Sequence, residues 1–112
     1  MSQTPPGAHE FHAVAHVDDI PDTGLLPVRL PSGLGVCVIK SGGVITAARD
    51  VCTHQAFPLS EGELEGGRLI CAWHGAEFDC RDGRVQRGPA EDNLAMLDVR
   101  VGEDGMISVK AQ

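Results

Sequence analysis

Aromatic residues are scarce in this 112-residue chain: there is one Trp, there are three Phe, and Tyr is absent altogether. Set against 14 Gly and 7 Pro, that scarcity indicates many turns and few long helices. Basic residues are also few, nine against sixteen acids, and the net charge is -7. Such a balance argues against nucleic acid and anionic membranes as partners and favours a basic protein surface. No Lys or Arg precedes Arg29, so the start lacks the charged region of a secretory or twin-arginine signal, and a cytoplasmic location is expected. Long apolar runs are missing as well. No stretch without a charge is longer than Leu30 to Ile39, which is interrupted by Pro31 and two glycines and is too short to cross a bilayer. What remains is a hydrophobic fraction of 42%, enough for the core of one domain that buries roughly 65% of its unfolded surface. Four cysteines in a reducing compartment point to metal binding or free thiols before disulfides.

Residues 1–10 are polar and without periodicity, and read as a loosely held arm. Short β-type runs follow. Phe11–Val17 is a first strand, Leu25–Leu30 a second with Pro27 marking it as edge-like or bulged, and Gly35–Lys40 and Val44–Asp50 flank a hairpin turn at Ser41-Gly42-Gly43. Near the end, Leu97, Val99 and Val101 alternate with Asp98 and Arg100, and Asp104-Gly105 turns the chain into Met106–Lys110, which predicts a hairpin with one buried face. The middle, about residues 50–91, reads as a separate small unit. It has Glu-Gly turns at 61–62 and 65–67, an Asp82-Gly83 turn, and short strands around Arg68–Cys71, Glu77–Cys80 and Arg84–Gln86. The expected fold is all-β, a sandwich or barrel interrupted by a small β subdomain.

That middle stretch also carries the chemistry. Cys52-Thr53-His54 is followed, after 16 intervening residues, by Cys71-Ala72-Trp73-His74. Two thiolates and two imidazoles suit zinc or an iron–sulfur centre. A zinc finger usually pairs Cys with Cys and His with His. Here each box offers one of each, so two loops can place both sulfurs on one iron and both imidazoles on the other, the ligand set of a Rieske 2Fe–2S centre. The pattern C-x-H, 16 residues, C-x-x-H resembles the Rieske family, and within it the small soluble Rieske ferredoxins of bacterial aromatic-ring dioxygenase systems. The resemblance runs through CTHQAFPLSEGELEGGRLICAWHGAEFDCRDGRVQRGPA, residues 52 to 90. It implies a Rieske-type β-sandwich with an inserted cluster-binding subdomain and one 2Fe–2S cluster. It further implies Cys52 and Cys71 on the inner iron, His54 and His74 on the outer iron, and a third covering loop at Gly88-Pro89-Ala90.

Several other residues have a plain reading beside a sharper one. Cys37, in the apolar run GVCVIK, is expected to be a buried inert thiol, and Cys80, beside an Asp-Gly turn, a strand residue rather than a ligand. A Cys37–Cys80 disulfide is not expected in a reducing compartment. His9, His12 and His16 have a spacing that suits a helical metal site, but the local pattern is that of a strand, which makes them surface or packing histidines. Trp73 shields the cluster from water, forms part of a docking surface, or packs the small subdomain. Glu61, Glu63, Glu65, Glu91 and Asp92 form either an acidic docking rim or an ordinary solvated face.

An oxygenase subunit would need a mononuclear iron site and a domain to hold it, and Gln112 is expected to come too soon after His74 for one. No G-x-G-x-x-G motif for flavin or nicotinamide occurs. The family resemblance therefore implies a one-electron carrier, not an enzyme, that takes electrons from a flavoprotein reductase and gives them to a terminal oxygenase. The small Rieske-like subunit of assimilatory nitrite reductase is the alternative. A potential towards the low end of the Rieske range is also implied. High-potential relatives bridge the two cluster loops by a disulfide, where this chain has Trp73 in one box and Gln55, Ala56 and Phe57 in the other. They also place Ser and Tyr hydroxyls against cluster and ligand sulfurs, at positions that are Ala76 and Phe78 here.

Overall fold

The computed structural model describes residues 11–51, 58–72, 75–88 and 92–110. The described strands are β1 (Phe11–His16), β2 (Leu25–Arg29), β3 (Gly35–Ser41), β4 (Val44–Arg49), β5 (Glu63–Glu65), β6 (Arg68–Ile70), β7 (Glu77–Asp79), β8 (Val85–Arg87), β9 (Met96–Val101) and β10 (Met106–Lys110). They form two antiparallel sheets, one of order β1-β10-β9-β4-β3-β2 and one of order β5-β6-β7-β8. Among the described residues, helix is confined to two three-residue 3-10 turns, Val17–Asp19 and Leu59–Glu61. The chain is all-β, and its smaller sheet is inserted between β4 and β9 of the larger one.

The local chemistry accounts for the elements. Ser41 pairs with Val44, so Gly42 and Gly43 alone close the β3–β4 hairpin, both with positive φ, as a tight two-residue turn requires. Pro27 cannot donate to a ladder on both sides, and β2 is an edge strand. The C-terminal hairpin forms as its alternation predicts, with Ile107 and Val109 buried on β10. On β9 burial fades towards the loop: Leu97 is buried, whereas Val101, beside the turn, is 44% exposed.

β3 explains why GVCVIK is an unbroken apolar run. Successive strand residues point to opposite faces. Val36 and Val38 enter one core with Leu30, Ala47, Leu97, Ile107 and Val109, enclosed by the larger sheet as its edge strands curl into contact. Cys37 and Ile39 enter a second core, shared with the smaller sheet. A strand buried on both faces cannot alternate.

The smaller sheet seats one apolar rib in that second core. Leu64 pairs with Leu69, Leu69 with Phe78 and Phe78 with Val85, so one residue from each of β5 to β8 lines up across the sheet. Leu69 and Phe78 are fully buried there, with Leu64 and Val85 packed at the margin. A direct bond reinforces the docking: the Thr46 hydroxyl of β4 donates to the Cys80 carbonyl at 2.7 Å. On the opposite face Glu77 accepts from Arg68 at 3.2 Å and from Arg87 at 3.5 Å, a three-strand ion pair over β6, β7 and β8. The strand β5 was not anticipated. Three residues between two Glu-Gly turns carry little periodicity, and the pairing with β6 makes the strand.

Candidate metal centre

Cys71 leaves β6 directly and is 2% exposed. Its N–H donates to the Ala76 carbonyl at 2.8 Å, which ties the start of the second box to the chain just past its end. Gly75, with φ 70°, makes the return inside that tie, a left-handed conformation that a side chain would oppose. The chain that follows the first box reaches the same end of the smaller sheet. Leu59 is fully buried in one core with Cys71, Ala76 and Phe78. Gly62 passes so close to the Ile70 carbonyl that any Cβ would collide with it. Glu63 then pairs with Ile70, which precedes Cys71. The exit of the first box and the entry of the second are thus laid side by side.

Cys52, His54 and His74 lie outside the described residues, as do Trp73, His9, Pro89, Ala90, Glu91 and the arm 1–10. The donor set supports an iron–sulfur group on what is described. Cys71 offers a thiol withdrawn from water, suited to an inner iron, within a turn whose glycine admits close approach. Hence the residues present fit the group.

The other candidates resolve as packing or surface. Burial, and secondarily the Asp50 charge, push the Cys37 thiol up to about 12, so it stays protonated and inert at neutral pH. Cys80 follows β7 into the inter-sheet core, and neither it nor Cys37 forms a disulfide. His16 is used structurally: its Nδ1 accepts from the Asp18 N–H at 3.0 Å, and its Nε2 meets the Asp104 carbonyl at 2.8 Å, pinning β1 to the β9–β10 loop. His12 lies half-buried on β1 opposite Val109. No group of three or more His, Cys, Asp or Glu side chains among the described residues is arranged to hold a metal. Glu61, Glu63, Glu65 and Asp92 are exposed.

One pair went unread in the sequence. Asp50, just before the first box, accepts the Ser60 N–H on Oδ1 and the Ser60 hydroxyl on Oδ2, each at 2.8 Å. Its sequence signal, an Asp ten residues ahead of a Ser, is too common to single out.

The chain is similar to known proteins over most of its length. The Rieske [2Fe-2S] domain matches residues 10–98. The ferredoxin component of the p-cumate 2,3-dioxygenase system of Pseudomonas putida is 38% identical over 93 residues, 82% of this chain and 78% of that protein. The ferredoxin component of the naphthalene 1,2-dioxygenase system of Pseudomonas aeruginosa is 32% identical over 92 residues, 81% and 88% of the two chains. Among solved structures, a chain in the complex of reduced oxygenase and oxidized ferredoxin of carbazole 1,9a-dioxygenase superposes with a TM-score of 0.82 at 27% identity, covering 91% of this chain and 94% of that one. In larger relatives the chain spans as little as 15% of the length. The protein belongs to the Rieske 2Fe–2S family. It carries one Rieske-type cluster and is an electron carrier of the ferredoxin type rather than a catalytic enzyme. No helix among the described residues is long and apolar enough to cross a membrane.

The described residues bear on the potential too. Ala76 and Phe78, fully buried, share a core with Cys71. Neither side chain can donate a hydrogen bond to sulfur. Such bonds draw electron density from the sulfurs and raise the potential. We expect Ala76→Ser and Phe78→Tyr each to raise the midpoint measured by protein-film voltammetry. No rise in either variant would mean that the new hydroxyls find other partners.

Proposed function

We propose that Cys52 and Cys71 bind the inner iron and His54 and His74 the outer iron of the cluster, with residues 50–91 as the cluster-binding subdomain. The protein then acts in the cytoplasm as a one-electron shuttle between a flavoprotein reductase and the terminal oxygenase of an aromatic-ring dioxygenase system. When bound, the cluster supplies a site that gains and returns a single electron. The residues of the chain hold it at one end of the smaller sheet, exclude water from the Cys71 side, and keep the supporting turns stiff.

The observation that carries this reading is the placement of the buried Cys71 thiol beside the exit of the first box, through Leu59, Gly62 and Ile70. The comparisons support the shuttle role over a fixed subunit of nitrite reductase. The relatives matched over most of their length are ferredoxin components, and one structural relative is a ferredoxin in complex with an oxygenase. Reconstitution with candidate flavoprotein reductases and ring-hydroxylating oxygenases tests the proposal: product should form only when this chain is added. Product formation at the same rate without it would remove the shuttle role.

Charge sets the expected kinetics. With a net charge of -7 and exposed Glu61, Glu63 and Glu65 along the β5 edge, encounter with a basic partner should slow as ionic strength rises. The exposed Arg81 and Arg84 lie 3.8 and 3.6 Å from Asp79 and Asp82 and offset little of that field. Stopped-flow electron-transfer rates that stay flat from low to high salt would exclude electrostatic steering.

A further inference from the structure

We infer that Asp50 and Ser60 form a clamp that sets the span of the first ligand segment, making them positioning residues for the cluster although neither is a ligand. The inference rests on the assignment of Cys52 and His54 as ligands.

The two residues stand on either side of that segment. Asp50 directly follows β4, where its N–H donates to the Gly35 carbonyl at 3.0 Å, and the preceding Arg49 N–H donates to the Ala95 carbonyl at 2.9 Å. The acceptor is therefore fixed to the larger sheet from two directions. Ser60 sits in the 3-10 turn Leu59–Glu61, whose buried Leu59 anchors it in the core shared with Cys71. The turn begins at Pro58, which provides no side-chain cap, so its early N–H groups need an outside acceptor. Asp50 supplies one. Its carboxylate takes the Ser60 N–H and hydroxyl together, at 2.8 Å each, in a half-buried setting. Hydrogen bonds to an ionised acceptor are the strong kind, and a bidentate pair fixes orientation as well as distance. The result links the larger sheet to the turn that supports the second box, with Cys52 and His54 in the stretch of chain between the two anchors.

A ligand segment pinned at both ends should exchange its metal slowly and present one geometry to it. Substitutions can separate this from general stability. Asp50→Ala removes both bonds, and Ser60→Ala removes only the hydroxyl bond. Asp50→Asn discards the charge, yet its Oδ1 can still accept from the Ser60 N–H and its Nδ2 can donate to the Ser60 hydroxyl.

The experiment measures cluster loss to a chelator by the decay of visible absorbance in the as-isolated holoprotein. The EPR spectrum of the reduced cluster and the midpoint potential are recorded on the same samples. Asp50→Ala should lose its cluster about tenfold faster than the parent, with a broadened or shifted spectrum and a displaced midpoint. Ser60→Ala should fall between the two. Asp50→Asn, which keeps both contacts but not the charge, should keep the parental spectrum and lose its cluster more slowly than Asp50→Ala. An Asp50→Ala protein with the parent's loss rate and spectrum overturns the clamp, as does an Asp50→Asn protein as impaired as Asp50→Ala. Should Asp50→Ala not fold, Ser60→Ala alone decides: parental values in every readout refute the clamp. Cys52→Ser is the companion variant. If it keeps the Rieske spectrum, the ligand assignment falls and the clamp's role with it; if it loses the spectrum while the clamp variants behave as the parent, only the clamp is refuted.

Discussion

Cys71→Ser should yield a folded but colourless protein with neither iron nor acid-labile sulfide, while Cys80→Ala remains coloured. The two thiols are nine positions apart, and both are buried in the core between the sheets. What separates them is position on the small sheet. Cys71 opens the turn that Ala76 closes and lies beside the exit of the first box. Cys80 lies past β7, where its N–H donates to the Gly67 carbonyl at 3.1 Å and its own carbonyl takes the Thr46 hydroxyl. A serine hydroxyl is far less acidic than a thiol and does not replace a thiolate on an inner iron. Iron and sulfide analysis of both variants checks this. Retention of a full cluster in Cys71→Ser, or its loss in Cys80→Ala, would reverse the assignment.

Phe78→Ala should be the most destabilising substitution of a residue outside the ligand set. Phe78 is the largest fully buried side chain among the described residues. It occupies the third place in the rib Leu64, Leu69, Phe78, Val85, by which the smaller sheet rests on the larger. Truncation of a buried Phe to Ala costs about 3–5 kcal/mol, from lost transfer energy and the cavity left behind. Total stability of a domain is about 5–15 kcal/mol, so this is a large fraction of it. The expected fall in Tm is more than about 10 °C. Val101→Ala, at a side chain 44% exposed beside a turn, should change stability by less than about 0.5 kcal/mol. Thermal unfolding followed by circular dichroism compares the two. Equal Tm values would show that the rib does not hold the sheets together.

Much of this could be read from the chain because local chemistry and tertiary structure agree. The Gly42-Gly43 hairpin, the edge position of Pro27's strand and the terminal hairpin each follow from backbone restrictions or alternation that packing reinforces. The all-β class and the separate small sheet followed from the same signals, and the ligand spacing pointed to the family to which the chain belongs. What escaped was decided at a distance. β5 exists because β6 pairs with it. The double burial of β3 depends on the smaller sheet folding back, so its apolar run marked burial without telling of two cores. The Asp50–Ser60 bonds join residues whose relation only the fold creates. The His9, His12 and His16 spacing was rightly read as a strand feature for the two described residues, because β1 is extended and four residues of strand set His12 and His16 roughly 13 Å apart.

The midpoint potential of the isolated protein, taken by protein-film voltammetry alongside its iron and sulfide content, distinguishes a mixed Cys and His cluster from every other ligand set. Two imidazoles on one iron place a 2Fe–2S centre at about -150 to +300 mV, whereas an all-cysteine plant-type centre lies near about -400 mV. With Ala76 and Phe78 in place of hydroxyl donors and a net charge of -7, a single one-electron wave near the bottom of the first range is expected. A wave near about -400 mV would contradict the mixed Cys and His ligand set, and zinc in place of iron, with no wave at all, would contradict the electron carrier itself.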